Sequence, residues 1–247
     1  MFRTLNVSRS GYYDWRYRQP SARAQANQRL LSLIRDIHRH SRENYGEYKT
    51  WRALKALGER CGRHRVARLR RRHGIVAKRV RRFRQSYAAR QSLPPAPNLS
   101  DRDFTAPQAN RVLAGDVTFV PTRRGWLHVA VMIDLYSRRI VGWSMSERND
   151  LQLIKGALQM ALTARRPPPS LIHDKDQEQT CSSVQYRAVL QEHGIIQSMS
   201  RKGNCLDNAV AESFFSSLKN ELVHHTNYED RSQARAAIFD YMEVFYN

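Results

Sequence analysis

The chain's 247 residues suffice for one large domain or for a small domain beside a medium one, and their formal net charge of +20 is unevenly spread. Residues 1–95 carry 25 Lys and Arg against 5 Asp and Glu, whereas residues 96–247 carry 17 against 17; so dense a cationic stretch repels itself unless a polyanion neutralises it, which makes nucleic acid the expected partner ahead of an acidic protein or a membrane surface. No apolar run approaches the roughly 18 residues of a membrane span, no signal-like segment opens the chain, and Cys61, Cys181 and Cys205 form neither a zinc pattern nor a disulfide framework, so a cytoplasmic protein in a reducing compartment is expected.

The first segment, LNVSRSGYYDWRYR (5–18), interleaves cations with Tyr12, Tyr13, Trp15 and Tyr17, and reads either as a further DNA contact or as the rim of a small core. Residues 22–42 place Leu30, Leu31, Ile34 and Ile37 at helical spacing, and a second helix is expected near 47–57 with Trp51, Leu54 and Leu57. Gly58 and Gly62 bracket a short turn, after which a third helix is expected over about 63–73. Val66 and Leu69 face inward on it, while Arg63, Arg65, Arg68, Arg70, Arg71 and Arg72 cover the rest. Two helices about a short glycine-containing turn, the second rich in arginine, form the helix-turn-helix pattern (about 47–75), in which the second helix enters the major groove.

SLPPAPNLSDRDFTAPQAN (92–110) has four prolines, no helical period, and coincides with the change in charge balance. A basic helical region (1–91), a Pro-rich linker (92–109) and a second domain (110–247) follow from it. Beyond the linker the pattern turns to strands. NRVLAGDVTFVPT (110–122) alternates through Val117, Phe119 and Pro121 around Asp116, and GWLHVAVMIDLYSRRIVGWSMSE (125–147) is two apolar runs joined by a polar DLYSRR, the pattern of a hairpin inside a buried sheet. A helix over about 150–164 ends at RRPPP; SLIH (170–173) is a short buried strand, and another amphipathic helix follows. This β-β-β-α-β-α order predicts an α/β domain with one mixed sheet flanked by helices.

Three carboxylates stand out. Asp116 sits in an apolar strand, where an unpaired charge is costly; Asp176 lies just past a later strand; Glu212 lies on the helix of LDNAVAESFFSSLKNEL (206–222), with Val210, Phe214, Leu218 and Leu222 on one stripe and Asn208, Glu212, Ser216 and Lys219 on another. Three carboxylates converging from two strand ends and a helix suit two-metal phosphoryl transfer, in which hard cations with oxygen ligands clamp the attacking and leaving oxygens and no nucleophilic side chain is needed.

The segments YGEYKTWRALKALG, GRHRVARLRRRHGI, GDVTFVPTRRGWLHVAVMIDLYSRRIVGW, SVQYRAVLQEHGI and SRKGNCLDNAVAESFFSSLKNEL together resemble the OrfB-type transposases of bacterial insertion sequences, whose core is similar to retroviral integrases. The resemblance spans nearly the whole chain. It implies a ribonuclease-H-like core with a catalytic, metal-holding triad at Asp116, Asp176 and Glu212, with 35 residues between the last two. It further implies two Mg²⁺ ions, or Mn²⁺ in their place, and Lys219 as the cation that holds the transposon end. Element ends and target DNA are the implied partners. A homo-oligomer on DNA, a nucleoid-associated bacterial location and a fusion with an upstream-frame product are implied as well.

The chain departs from that pattern around the second aspartate. Where the family reads close to His-Ser-Asp-x-Gly-Ser-Gln-Tyr, Lys175 precedes Asp176, and Glu178, Gln179, Thr180 and Cys181 take the last four places, with Asp174 a rival ligand two residues earlier. Leu113 and Leu206 stand where the family has tryptophan, and the chain stops at YMEVFYN where the family continues into a basic segment, so a truncated C-terminus is expected. Two functions follow as alternatives: a transposase that cuts and joins DNA, or a catalytically impaired relic that at most binds DNA. A ribonuclease-H-type nuclease is a third, which leaves the helix-turn-helix unexplained.

Overall fold

The computed structural model describes residues 8–78, 106–175, 184–199 and 209–247. It divides into two compact units, Met1–Arg79 and Val80–Asn247. Most of the linker expected at 92–109 lies outside the described residues.

The first unit is helical: α1 (Arg9–Tyr17), α2 (Ala22–His40), α3 (Glu47–Ala56) and α4 (Arg63–Arg72). Ser8 and Ser21 cap α1 and α2, their hydroxyls accepting from Gly11 N at 3.0 Å and Ala24 N at 3.2 Å, which satisfies amide groups that the first helical turn leaves without partners. Leu30 and Ile34 of α2, Leu54 of α3, and Val66 and Leu69 of α4 form one buried cluster, and Trp51 Nε1 donates to the Cys61 carbonyl at 3.0 Å, fixing the turn between α3 and α4. Each such aliphatic side chain stabilises the unit by roughly 1.5–3 kcal/mol. Leu57 stays out of this core, 64% exposed, because α3 ends at Ala56 and Leu57 is the cap residue off the helical stripe. No buried residue belongs to α1.

The second unit is built on a five-stranded mixed sheet in the order β3-β2-β1-β4-β5. β1 (Val112–Thr122), β2 (Gly125–Asp134) and β3 (Ile140–Ser146) form an antiparallel meander; β4 (Ile172–Lys175) and β5 (Ile196–Met199) run parallel to β1. α5 (Leu151–Arg165) and α6 (Val184–Glu192) supply one face of the core with Leu113, Ala130 and Met132. α7 (Ala209–Glu221) and α8 (Arg231–Asp240) supply the other with Val120, Val129, Val131 and Ile133. Alternate residues of β2 thus enter opposite core layers, and its buried run is continuous because both faces are covered. This is the ribonuclease-H-like arrangement.

Two features hold the sheet's geometry. The buried Asp134 carboxylate accepts from Asn110 N (2.9 Å), Ser137 N (3.0 Å) and Ser137 Oγ (2.6 Å), so the polar turn between β2 and β3 is organised around a charge with its hydrogen bonds made. Gly142 lets α5 lie directly on β3: a Cβ there would fall 2.2 Å from the Ala157 carbonyl oxygen. Asp150 caps α5, accepting from Leu153 N at 3.1 Å, and the helix ends at Arg166 in the left-handed region before Pro167. The short β5 is an element that the sequence reading did not anticipate.

Candidate active site and nucleic-acid interface

Register places the carboxylates. β1 and β4 pair from Val112↔Ile172 through Ala114↔Asp174 to Gly115↔Lys175. Paired residues share a sheet face and successive residues alternate. Leu113, Gly115 and His173 therefore face α5 and α6, while Ala114, Asp116 and Asp174 face the side of α7 and α8. Asp116 is half-buried, and its Oδ1 accepts from Val117 N at 2.8 Å. Asp174 is buried on that same face, two positions back along the strand pair. Asp176 and Asn208, both expected at the site, lie outside the described residues, as do Glu178, Gln179, Thr180 and Cys181.

On the opposite face the site is backed by a tightly fitted group that sequence reading missed. His173 is fully buried and its Nε2 lies 2.7 Å from Tyr186 Oη of α6. A Cβ at Gly115 would stand 2.4 Å from His173 Cε1, so only glycine lets β1 pass this ring immediately before Asp116. The sequence signal was the Gly-Asp pair itself.

α7 packs on β1. Glu212 is exposed in the helix's first turn, where a negative charge is favoured by the helix dipole. Seven residues on, Lys219 is half-buried, with Nζ 5.0 Å from the centre of the Phe119 ring. Burial lowers its pKa below the ordinary lysine value, and the nearby Asp116 charge opposes that shift. Lys219 thus stands within electrostatic range of Asp116, two helical turns along α7 from Glu212. Among the described residues no three His, Cys, Asp or Glu side chains gather as a metal site.

The arginines expected on the DNA face of α4 divide. Arg68, Arg71 and Arg72 are exposed. Arg63 is exposed too, but reaches Glu47 at 2.5 Å and stacks over Tyr48, while Arg65 donates to Asn27 Oδ1 at 2.9 Å. Arg70 does not belong to that face. Only 5% exposed, it donates from Nη1 to Thr50 Oγ1 at 2.9 Å, and burial lowers its pKa. Arg70→Ala should destabilise the helical unit by about 1–3 kcal/mol, because it removes a charged hydrogen bond and leaves a cavity. Arg71→Ala should leave stability within about 0.5 kcal/mol and weaken DNA binding instead, a contrast readable from urea unfolding and a binding titration of the two variants.

Comparison with known proteins agrees with both units. Residues 106–205 match an integrase core domain family, residues 212–247 a second integrase core family, and residues 25–83 an HTH-like domain family. Solved structures of similar fold include the HTLV-2 integrase catalytic core domain in complex with magnesium (17% identity, 47% of this chain and 71% of that one, TM-score 0.40) and the catalytic domain of Mos1 mariner transposase (9% identity, 55% and 71%, TM-score 0.47). By its family-model matches the chain is an integrase-core protein with an N-terminal HTH-like region. Among curated relatives, a 31 kDa protein of insertion element IS600 from Shigella sonnei is 41% identical over all of this chain and 91% of its own length. Transposase InsF for insertion sequence IS3A of Escherichia coli is 41% identical over all of this chain and 86% of its own. The chain belongs to the IS3-type insertion-sequence transposases, a family of polynucleotidyl-transferase enzymes.

Proposed function

We propose that this chain cleaves DNA at the ends of its own insertion element and joins the freed 3′-hydroxyl to target DNA, with Asp116, Asp176 and Glu212 holding two divalent cations, Mg²⁺ or Mn²⁺. The observation that carries the reading is the β1–β4 register. In the chain Asp116 directly follows Gly115 and Asp176 directly follows Lys175, and Gly115 and Lys175 are the last described pair of these two parallel strands. α7, the helix that carries Glu212, packs on β1. The donor chemistry fits: carboxylate oxygens are the ligands such hard cations prefer.

When bound, the cations would activate the attacking hydroxyl or water and stabilise the leaving oxygen. Lys219, beside Asp116, supplies a fixed positive charge for a phosphodiester. Arg68, Arg71 and Arg72 on α4 supply exposed cations for duplex phosphates. Relatedness along the whole chain favours the enzyme over the relic reading.

Two experiments test this. Purified protein is incubated with a labelled duplex carrying the element's end and Mg²⁺ or Mn²⁺, beside a Glu178→Gly/Gln179→Ser/Thr180→Gln/Cys181→Tyr variant. Joining by the native chain is the expected result; joining by the restored chain alone would return the relic reading. For the binding half, six phosphate contacts predict a slope of about −5 for log K against log salt, so affinity should fall about 10³-fold between roughly 50 and 200 mM. A flat response in a salt-titrated binding assay would remove DNA as the partner.

A further inference from the structure

Two large rings of the second unit lie in the open on β1 and β2, further along the strands than Asp116. Phe119 of β1 is 41% exposed and Trp126 of β2 is 52% exposed, and they meet edge to face with centroids 5.1 Å apart. Their register partners are His128 and Pro121, so both sit on the face that α5 covers further along the strands. That cover reaches Leu113, Val117 and Ala130 but does not include Phe119 or Trp126. The alternation through Val117, Phe119 and Pro121 thus runs from the edge of the core into solvent, while Thr118 and Val120 are the buried positions.

The surroundings are cationic. Lys219 Nζ lies over the Phe119 ring at 5.0 Å, and the turn between β1 and β2 is Arg123-Arg124, both exposed, Arg123 reaching Glu229 at 3.0 Å. Bare aromatic rings beside a cation form the composition of a single-strand platform, because every base has a face to stack and a phosphate to neutralise. Lys219 links the rings to the carboxylate, since it senses both Phe119 and Asp116. Phe119 stands three positions beyond Asp116 on β1, a rise of about 10 Å at roughly 3.3 Å per residue, or about three stacked nucleotide steps of 3.4 Å; its ring leaves the opposite face of the strand, and Lys219, reaching over it from α7, joins the two sides.

We propose that Phe119 and Trp126 form a ledge that stacks one unpaired base of the element's end, within about three nucleotides of the reacting phosphodiester, while Lys219 holds the adjoining phosphate. The inference rests on the transposase reading above and names two positioning residues for it. A base in closed duplex has both faces covered, so the ledge takes only a base released from pairing at the strand end. Both rings are exposed, so their removal leaves the fold intact.

The test uses the full chain and element-end duplexes carrying 2-aminopurine at each of the last three positions of the transferred strand. Binding should change the fluorescence at one of these positions through stacking, in the native chain and equally in Asp116→Asn, and the change should vanish in Phe119→Ala/Trp126→Ala but persist in Trp126→Phe. Trp126→Ala should slow joining by roughly 5- to 150-fold with an intact end, and leave it unchanged relative to the native chain when the stacked base is replaced by an abasic site. An equal loss with intact and abasic ends, or no fluorescence change at any position, overturns the ledge. A fluorescence change without joining supports the ledge and sinks the catalytic reading; joining without the change sinks the ledge alone.

Discussion

Asp116→Asn is expected to lower metal-dependent joining of element ends by at least about 10³-fold, the equivalent of about 4 kcal/mol of transition-state stabilisation, while DNA affinity and thermal stability stay at native values. Asparagine preserves the size of the side chain and its oxygen can still accept from Val117 N, which the native carboxylate does at 2.8 Å. What it removes is the charge. A neutral amide oxygen is a poorer ligand for a hard divalent cation, and the charge that opposes the burial shift of Lys219 is lost with it. The arginines of α4 proposed to contact DNA belong to the helical unit, which does not contain Asp116, so a binding titration at fixed salt should superimpose on that of the native chain. Joining that falls less than tenfold would mean that Asp116 is not a metal ligand, and Asp174, buried on the same face, would become the residue to replace next.

Much of the fold is legible in the sequence because its local signals agree with one another. α2 begins at Ser21 and α5 at Asp150, each a good capping residue before an apolar stripe. The two apolar runs of β2 and β3 are separated by a turn built on Asp134, which reads as an ordinary polar turn residue until its three accepted hydrogen bonds are seen. β5 escapes notice because Ile196–Met199 is four residues long, too short for any period to show, and becomes a strand only through pairing with β4.

The site divides on the same physical line. Asp116 is conspicuous because a carboxylate in an apolar strand needs a reason. Arg70 was legible but overridden by its neighbours: it lies four residues after Val66 and next to Leu69, on the buried stripe of α4, yet in a run of arginines composition outweighs spacing. The partial burial of Lys219 and the open setting of Phe119 and Trp126 depend on where β4 and α5 stop covering β1, which is a tertiary fact with no local trace.

The largest stability effect is expected from one methyl group. Gly142→Ala should destabilise the second unit by about 3 kcal/mol or more, the upper part of the range for overpacking a filled core, and lower its midpoint by about 6–12 °C for a domain of this size. The added Cβ would stand 2.2 Å from the Ala157 carbonyl oxygen and 2.8 Å from both Ala161 N and Ala161 Cβ. Two of these three atoms are helix backbone, so no side-chain rotation relieves the clash and α5 must lift from β3. The core beneath, where Val141 packs with Leu153, Ala157 and Leu158, would open with it. Gly156→Ala is the matched control on the facing helix. Its Cβ would meet Ser144 Oγ at 2.9 Å, a hydroxyl that can turn away, and Ser144 Cβ at 3.3 Å, a contact that asks a shift of only a few tenths of an ångström, while alanine is favoured over glycine in a helix interior by about 1 kcal/mol. Urea unfolding of the two variants should therefore differ in sign or nearly so, with Gly156→Ala at or above the native midpoint and Gly142→Ala well below it. Equal midpoints would mean that α5 does not rest on β3 as closely as the geometry states, and the support for β2 and β1 beneath Asp116 would have to be sought elsewhere.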